Sequence, residues 1–190
     1  MARLPYVARE ELDGTGRAAY DRLARGLSSR PGYPDRPTVD GIYALLAQSP
    51  ELAARVGAVG DYLLRDSGIA LLVKEITCLA VARALNCQLE WSVHEPMSRR
   101  AGVREEAIQG IKHRDLSGLR PDEREIVDYA WEVLRDDVRD ETWQAVARRM
   151  GAAGAVNLTI QIAFVALICY CMDAFKADLP DGVAPLLPVP

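Results

Sequence analysis

The stretch that most limits what this chain can become is "AVNLTIQIAFVALICYCM", residues 155–172. It holds no charged residue, and a helix that is apolar all round must leave water for a protein core or a bilayer. Asn157, Thr159 and Gln161 interrupt its first half, and the uninterrupted apolar run, Ile162 to Met172, is only 11 residues. A spanning helix needs about 20 apolar residues. The segment is expected to be a helix buried in a domain core or between subunits, and no membrane partner is expected.

The rest of the chain repeats apolar residues at spacings of three and four, with no sustained period-two alternation, so the fold class is all-α. Helices are predicted at about 9–26, on "VDGIYALLAQ", at 50–66 after Ser49 and Pro50, and on "IALLVKEITCLAVARAL". More follow at 87–101, 103–113, 121–136, 140–150 and 154–177. Gly102 marks the end of the 87–101 helix, and Asn86 either ends the helix before it or caps it. "SSRPGYPDRP", residues 28–37, reads as a loop, and "ADLPDGVAPLLPVP" as an extended tail. Trp131 and Trp143 have the spacing of packing anchors.

Nothing in this pattern divides 190 residues into two domains. A net charge of −4, with arginines interleaved among acids as in "RPDEREIVDYAWEVLRDDVRDE", argues against a nucleic-acid partner. "MARLPYVAREELDGTG" has no apolar signal region, so a cytoplasmic location is expected, with the four cysteines reduced.

Reactive residue types gather in "NCQLEWSVHEPMSRRAG", residues 86–102. Cys87, Glu90 and His94 are three and four apart, which places them on one helix face, with Trp91 beside the stripe. Cys87 is expected in the first turn, where free N–H groups stabilise a thiolate. If the chain reverses at Asn86, Glu75 on the preceding helix folds back beside Cys87 and His94. Two carboxylates, a thiol and an imidazole on one wall suit proton transfer. The mixed set Cys87, Glu90 and His94 matches no strong zinc pattern, so neither a metal nor another cofactor is expected. Cys78, three after Glu75, falls near the site by its spacing but needs only to be core. His113 reads as a cationic residue at a helix C-terminus, and Cys169 and Cys171 as core.

"EITCLAVARALNCQLEWSVHEP", Glu75 to Pro96, resembles the central motif of the carboxymuconolactone decarboxylase family, also called alkylhydroperoxidase D-like. That motif has a glutamate, a cysteine twelve residues on, then E-W-x-x-H. The flanks are similar too, and the resemblance covers roughly residues 40 to 178. It implies an all-helical fold assembled as a homotrimer or a multiple of one, and catalytic roles for Glu75, Cys87, Glu90 and His94. Peroxidase members carry a CxxC pair, and Glu90 stands here at its second cysteine, which removes the resolving thiol. The decarboxylase branch carries the carboxylate instead. There Glu90 and His94 would supply the proton that replaces carbon dioxide, with Glu75 orienting the imidazole. Arg83 is the candidate for holding substrate carboxylates, and Trp91 for lining the pocket. Leu89 departs from the branch, where an aromatic residue is common.

Three functions are thus expected in order. The first is acid–base chemistry on a small carboxylated or lactone-type substrate. The second is a one-cysteine hydroperoxidase using Cys87 with an external thiol, and the third a non-catalytic ligand-binding or scaffold homo-oligomer. The domain is expected over 39–178, after a helical extension and proline-rich loop at 1–38 and before a proline-rich tail at 179–190.

Overall fold

A computed structural model describes residues 1–28, 41–179 and 183–188, and among these there are helices and no strand. The elements are a 3-10 turn (Arg9–Glu11), α1 (Gly14–Ser28), α2 (Gly41–Leu46), α3 (Pro50–Arg65) and α4 (Leu71–Ala84). They continue with α5 (Gln88–Arg100), α6 (Glu105–His113), a 3-10 turn (Leu116–Gly118), α7 (Pro121–Leu134) and α8 (Asp140–Phe175). The proline-rich loop read at 28–37 falls, from residue 29 on, outside the described residues.

α4 is the centre of the bundle. Lys74 through Ala82 are all buried, because α5, α6, α7 and α8 pack around it. A surface helix shows an apolar stripe, whereas "ITCLAVA" is apolar on every side, as a central rod requires. Ile76, Leu79, Val81, Trp91, Ile108, Ile111, Val127, Leu158 and Ile162 are fully buried in this main core. Trp131 lies partly buried against it and donates Nε1–H to the Ala80 carbonyl at 2.9 Å. Trp143 differs from its reading: it is 40% exposed, its ring 6.5 Å from that of Tyr129.

A second apolar cluster joins α1 and α2 to the far end of α8 through Tyr20, Leu23, Ile42, Tyr43, Ile168 and Met172. The N-terminal segment is therefore packed on the bundle rather than appended to it. α1 starts later than predicted because residues 9–11 form a separate 3-10 turn, with Glu11 accepting from the Ala8 N–H at 2.8 Å. α1 lies so close to α3 that a Cβ at Gly57 would stand 2.5 Å from Leu23 Cδ1.

α8 is two rods. Gly151 adopts φ 70° and ψ 171°, a region that costs a side-chain-bearing residue dearly, and separates 140–150 from 152–175. By length and composition α8 is apolar enough to cross a membrane. Its second rod nevertheless buries Ala155, Leu158, Ile162, Val165 and Cys169 against the bundle. On its other side Val156, Ile160, Leu167 and Tyr170 are exposed.

The turn between α4 and α5 positions the site. Asn86 is left-handed at φ 53°, a conformation asparagine tolerates better than most residues. The Cys87 N–H bonds to the Ala82 carbonyl at 2.8 Å and the Asn86 N–H to the Arg83 carbonyl at 3.3 Å, which together close a Schellman turn. Asn86 thus ends one helix, and Cys87 is the N-cap of the next.

Candidate active site

α4 presents Lys74, Glu75 and Cys78 toward α5, which answers with Glu90 and His94 one turn apart. Glu75 and Cys78 share a face by their i, i+3 spacing, and Glu90 and His94 by i, i+4. The turn at Asn86 sets the two faces against each other. His94 sits between two carboxylates: Nδ1 lies 2.9 Å from Glu75 Oε2 and Nε2 lies 3.2 Å from Glu90 Oε1. Ser98 Oγ–H also donates to Glu75 Oε2 at 3.4 Å, which fixes that carboxylate from one turn further along α5.

Glu75 and Glu90 are buried and His94 is 18% exposed. Burial disfavours the imidazolium, while Cys78 and the carboxylates of Glu90 and Glu75 favour it. The attractions win, and His94 is held well above the usual histidine value. The arrangement favours the imidazolium, with each ring nitrogen facing a carboxylate.

These groups form one wall of a cavity of about 140 Å³ between α2, α3, α4, α5 and α8. Lys74, Glu75, Cys78, Glu90, His94 and Gln161 are its polar lining. Leu63, Leu89, Val93, Phe164, Ile168 and Met172 are among its apolar lining. Such a space, apolar with a few convergent polar groups, is the form a small-molecule site takes.

The structure brings Glu75, Glu90 and His94 together as the spacing predicted. It places Cys87 differently. As the N-cap residue, Cys87 directs its sulfur toward α8, 3.6 Å from Met172 Sδ, and does not line the cavity. The adjacent Cys169 thiol, with backbone N–H groups of the first turn, lowers Cys87 below the usual thiol value against its burial. Cys169 is raised in turn. The thiol beside His94 is Cys78, which burial raises.

Arg83 and Trp91, read as substrate contacts, lie elsewhere. Arg83 donates to the Lys112 carbonyl at 2.6 Å and to Asn86 Oδ1, tying α4 to the end of α6. Trp91 is fully buried in the main core and donates Nε1–H to Glu95 Oε2 at 2.8 Å. Each is turned from the cavity face by the helical advance of about 100° per residue.

Lys74 and Gln161 escaped the sequence reading of the cavity, and Cys78, read as near the site or core, lines it. Lys74 is 5% exposed and donates to the Leu64 carbonyl; burial lowers its pKa, with Cys78 and Asp66 opposing. Its signal was a charged pair, Lys74-Glu75, inside an apolar run. Cys78 was legible as the i+3 neighbour of Glu75. Gln161 was visible as a polar residue in a buried helix; its Nε2 donates to Cys78 Sγ at 3.6 Å, and its Oε1 is buried without a partner among the described residues.

Comparison with known proteins places this hairpin in context. Residues 50–130, from α3 through most of α7 and including Glu75, Cys78, Glu90 and His94, match the carboxymuconolactone decarboxylase family. No curated protein matches the chain.

Proposed function

We propose that the chain, whose residues 50–130 match the carboxymuconolactone decarboxylase family, is an acid–base enzyme acting on a small carboxylated or lactone-type substrate. The observation that carries this reading is His94 clamped between Glu75 and Glu90 on the wall of a cavity large enough for a small molecule. When a conjugated lactone acid loses carbon dioxide, the C–C bonding pair stays on the substrate as a dienolate. That pair is then protonated at carbon. The His94 imidazolium supplies the proton from its Nε2 side, where Glu90 holds it, and takes one back from solvent afterwards. Glu75 holds Nδ1 at 2.9 Å and keeps the ring oriented. Lys74, rather than Arg83, is the cation that faces the cavity and meets a substrate carboxylate.

The test is incubation of a carboxylated muconolactone with the protein in deuterated water, followed by mass spectrometry. We expect loss of carbon dioxide with one deuterium incorporated at carbon. His94→Gln should slow turnover by about 10²- to 10⁴-fold, Lys74→Met should raise KM more than it lowers kcat, and Cys87→Ser should retain activity. Turnover that survives His94→Gln would refute the assignment.

A second reading has its own observation, the lowered thiol of Cys87 beside Cys169. In that reading the Cys87 thiolate attacks a hydroperoxide, releasing an alcohol, and an external thiol reduces the sulfenic acid. Peroxide consumption that requires a dithiol and is abolished by Cys87→Ser would establish it in place of the first.

The exposed apolar side of the second α8 rod supports assembly with further copies of this chain. Val156, Ile160, Leu167 and Tyr170 recur at helical spacing on a helix whose opposite side is already buried. A homotrimer or a multiple of it covers that face without leaving it to water.

A further inference from the structure

We propose that Cys78, Glu90 and His94 form a binding site for one divalent transition-metal cation of the zinc type. The inference concerns the same cavity wall but does not depend on the acid–base reading. The ligand atoms, a sulfur, a carboxylate oxygen and an imidazole nitrogen, all lie within 4.8 Å of one another. Bonds of about 2.0–2.3 Å in a tetrahedral zinc site put neighbouring ligand atoms about 3.3–3.7 Å apart. His94 Nε2 and Glu90 Oε1 are already at 3.2 Å. Only the sulfur has to approach, by about 1 Å.

Two further features point to a cation. Metal-binding histidines keep their other ring nitrogen on a carboxylate, which fixes the tautomer and makes the ligand more basic. Glu75 performs that service for His94 Nδ1 at 2.9 Å, leaving Nε2 as the ligand atom. The second is Gln161, 7% exposed, with its Nε2 on Cys78 Sγ and its Oε1 buried without a partner among the described residues. An amide oxygen beside the thiol is a neutral fourth donor, and a cation answers the unmet acceptor. The charge balances as well: thiolate and carboxylate neutralise the dication. Binding releases two protons, one from the Cys78 thiol and one from His94 Nε2. Sulfur and imidazole select zinc, cobalt(II) or cadmium over magnesium and calcium, which prefer oxygen alone.

Nε2 cannot hold a proton and a metal together. The loaded site therefore lacks its proton donor, and the cation acts as an inhibitor of the acid–base chemistry. Metal uptake is measured without substrate, so it can succeed or fail whatever becomes of the decarboxylation reading.

The experiment is titration of chelator-treated, reduced protein with cobalt(II) chloride, followed by absorption spectroscopy and calorimetry. We expect one cobalt per chain, a thiolate-to-cobalt charge-transfer band, intense d–d bands of a four-coordinate ion, and release of two protons. Zinc should displace the cobalt and millimolar magnesium should not. Cys78→Ser should abolish the charge-transfer band, and Cys87→Ser should leave it in place. Glu90→Gln, which keeps the thiol and the packing, should weaken binding about tenfold or more with the band retained. Absence of uptake, a band that persists in Cys78→Ser or vanishes in Cys87→Ser, or an unchanged affinity in Glu90→Gln would each overturn the site.

Discussion

Glu75 Oε2 stands 2.9 Å from His94 Nδ1 across the α4–α5 hairpin, and with Cys78 and Glu90 this contact raises the imidazole above its usual value against burial. His94 has a higher pKa folded than unfolded, where about 6.5 applies. Its stabilising effect is fully present below about pH 6.5 and is lost as pH rises through the folded value, because the unfolded chain gives up the proton first. The slope is at most about 1.4 kcal/mol per pH unit. Urea unfolding of the chelator-treated protein between pH 6 and pH 8 should show that decline, and His94→Gln should flatten it. Glu75→Gln should lower the His94 pKa, as read from its ring proton shifts.

Cys87 should react with iodoacetamide with a half-point below the usual thiol value, since Cys169 and the first-turn N–H groups favour its thiolate. Removing the neighbour in Cys169→Ala should move that half-point upward. Peptide mapping at neutral pH should find Cys87 labelled well ahead of the buried Cys78.

The outer side of the second α8 rod gives a prediction about size. Leu167 and Tyr170 are 43% and 61% exposed, so Leu167→Glu with Tyr170→Glu leaves the core untouched. Light scattering should find a trimer or a multiple of it for the parent chain and a monomer for the double variant. A parent that is already monomeric would remove the assembly reading.

Gly151→Ala tests the break in α8. At φ 70° and ψ 171° a side chain meets backbone strain, while a Cβ there has no neighbour within 4 Å. The substitution should cost about 1 to 3 kcal/mol in urea unfolding, with strain rather than crowding as the cause.

Much of this was legible because helical periodicity converts spacing into facing. Glu75, Glu90 and His94 could be placed on one wall from their numbers and one turn at Asn86. The separate helices read at 140–150 and 154–177 correspond to the two rods of α8, which part at Gly151. Cys87 was misjudged because an N-cap residue leaves the helical path: whether it stands at the cap or one position inside changes where its sulfur points. Arg83 and Trp91 were chosen for chemistry, and their angular positions on α4 and α5 take them to the other side. Gln161 could not be placed from local spacing at all, since it reaches the site from a helix 83 residues beyond Cys78.

That last separation has a consequence for how the chain acquires its chemistry in time. The contact from Glu75 to His94 closes over 19 residues through a turn held by its own backbone hydrogen bonds. Contacts this short are inexpensive to close and belong to the fast part of folding. The wall supplied by α8 closes over much longer loops and arrives later. The two carboxylates and the imidazole therefore meet while still wet, as an ordinary surface cluster. In the proposed acid–base reading, the pocket is expected to be complete only once the second rod of α8 docks over it.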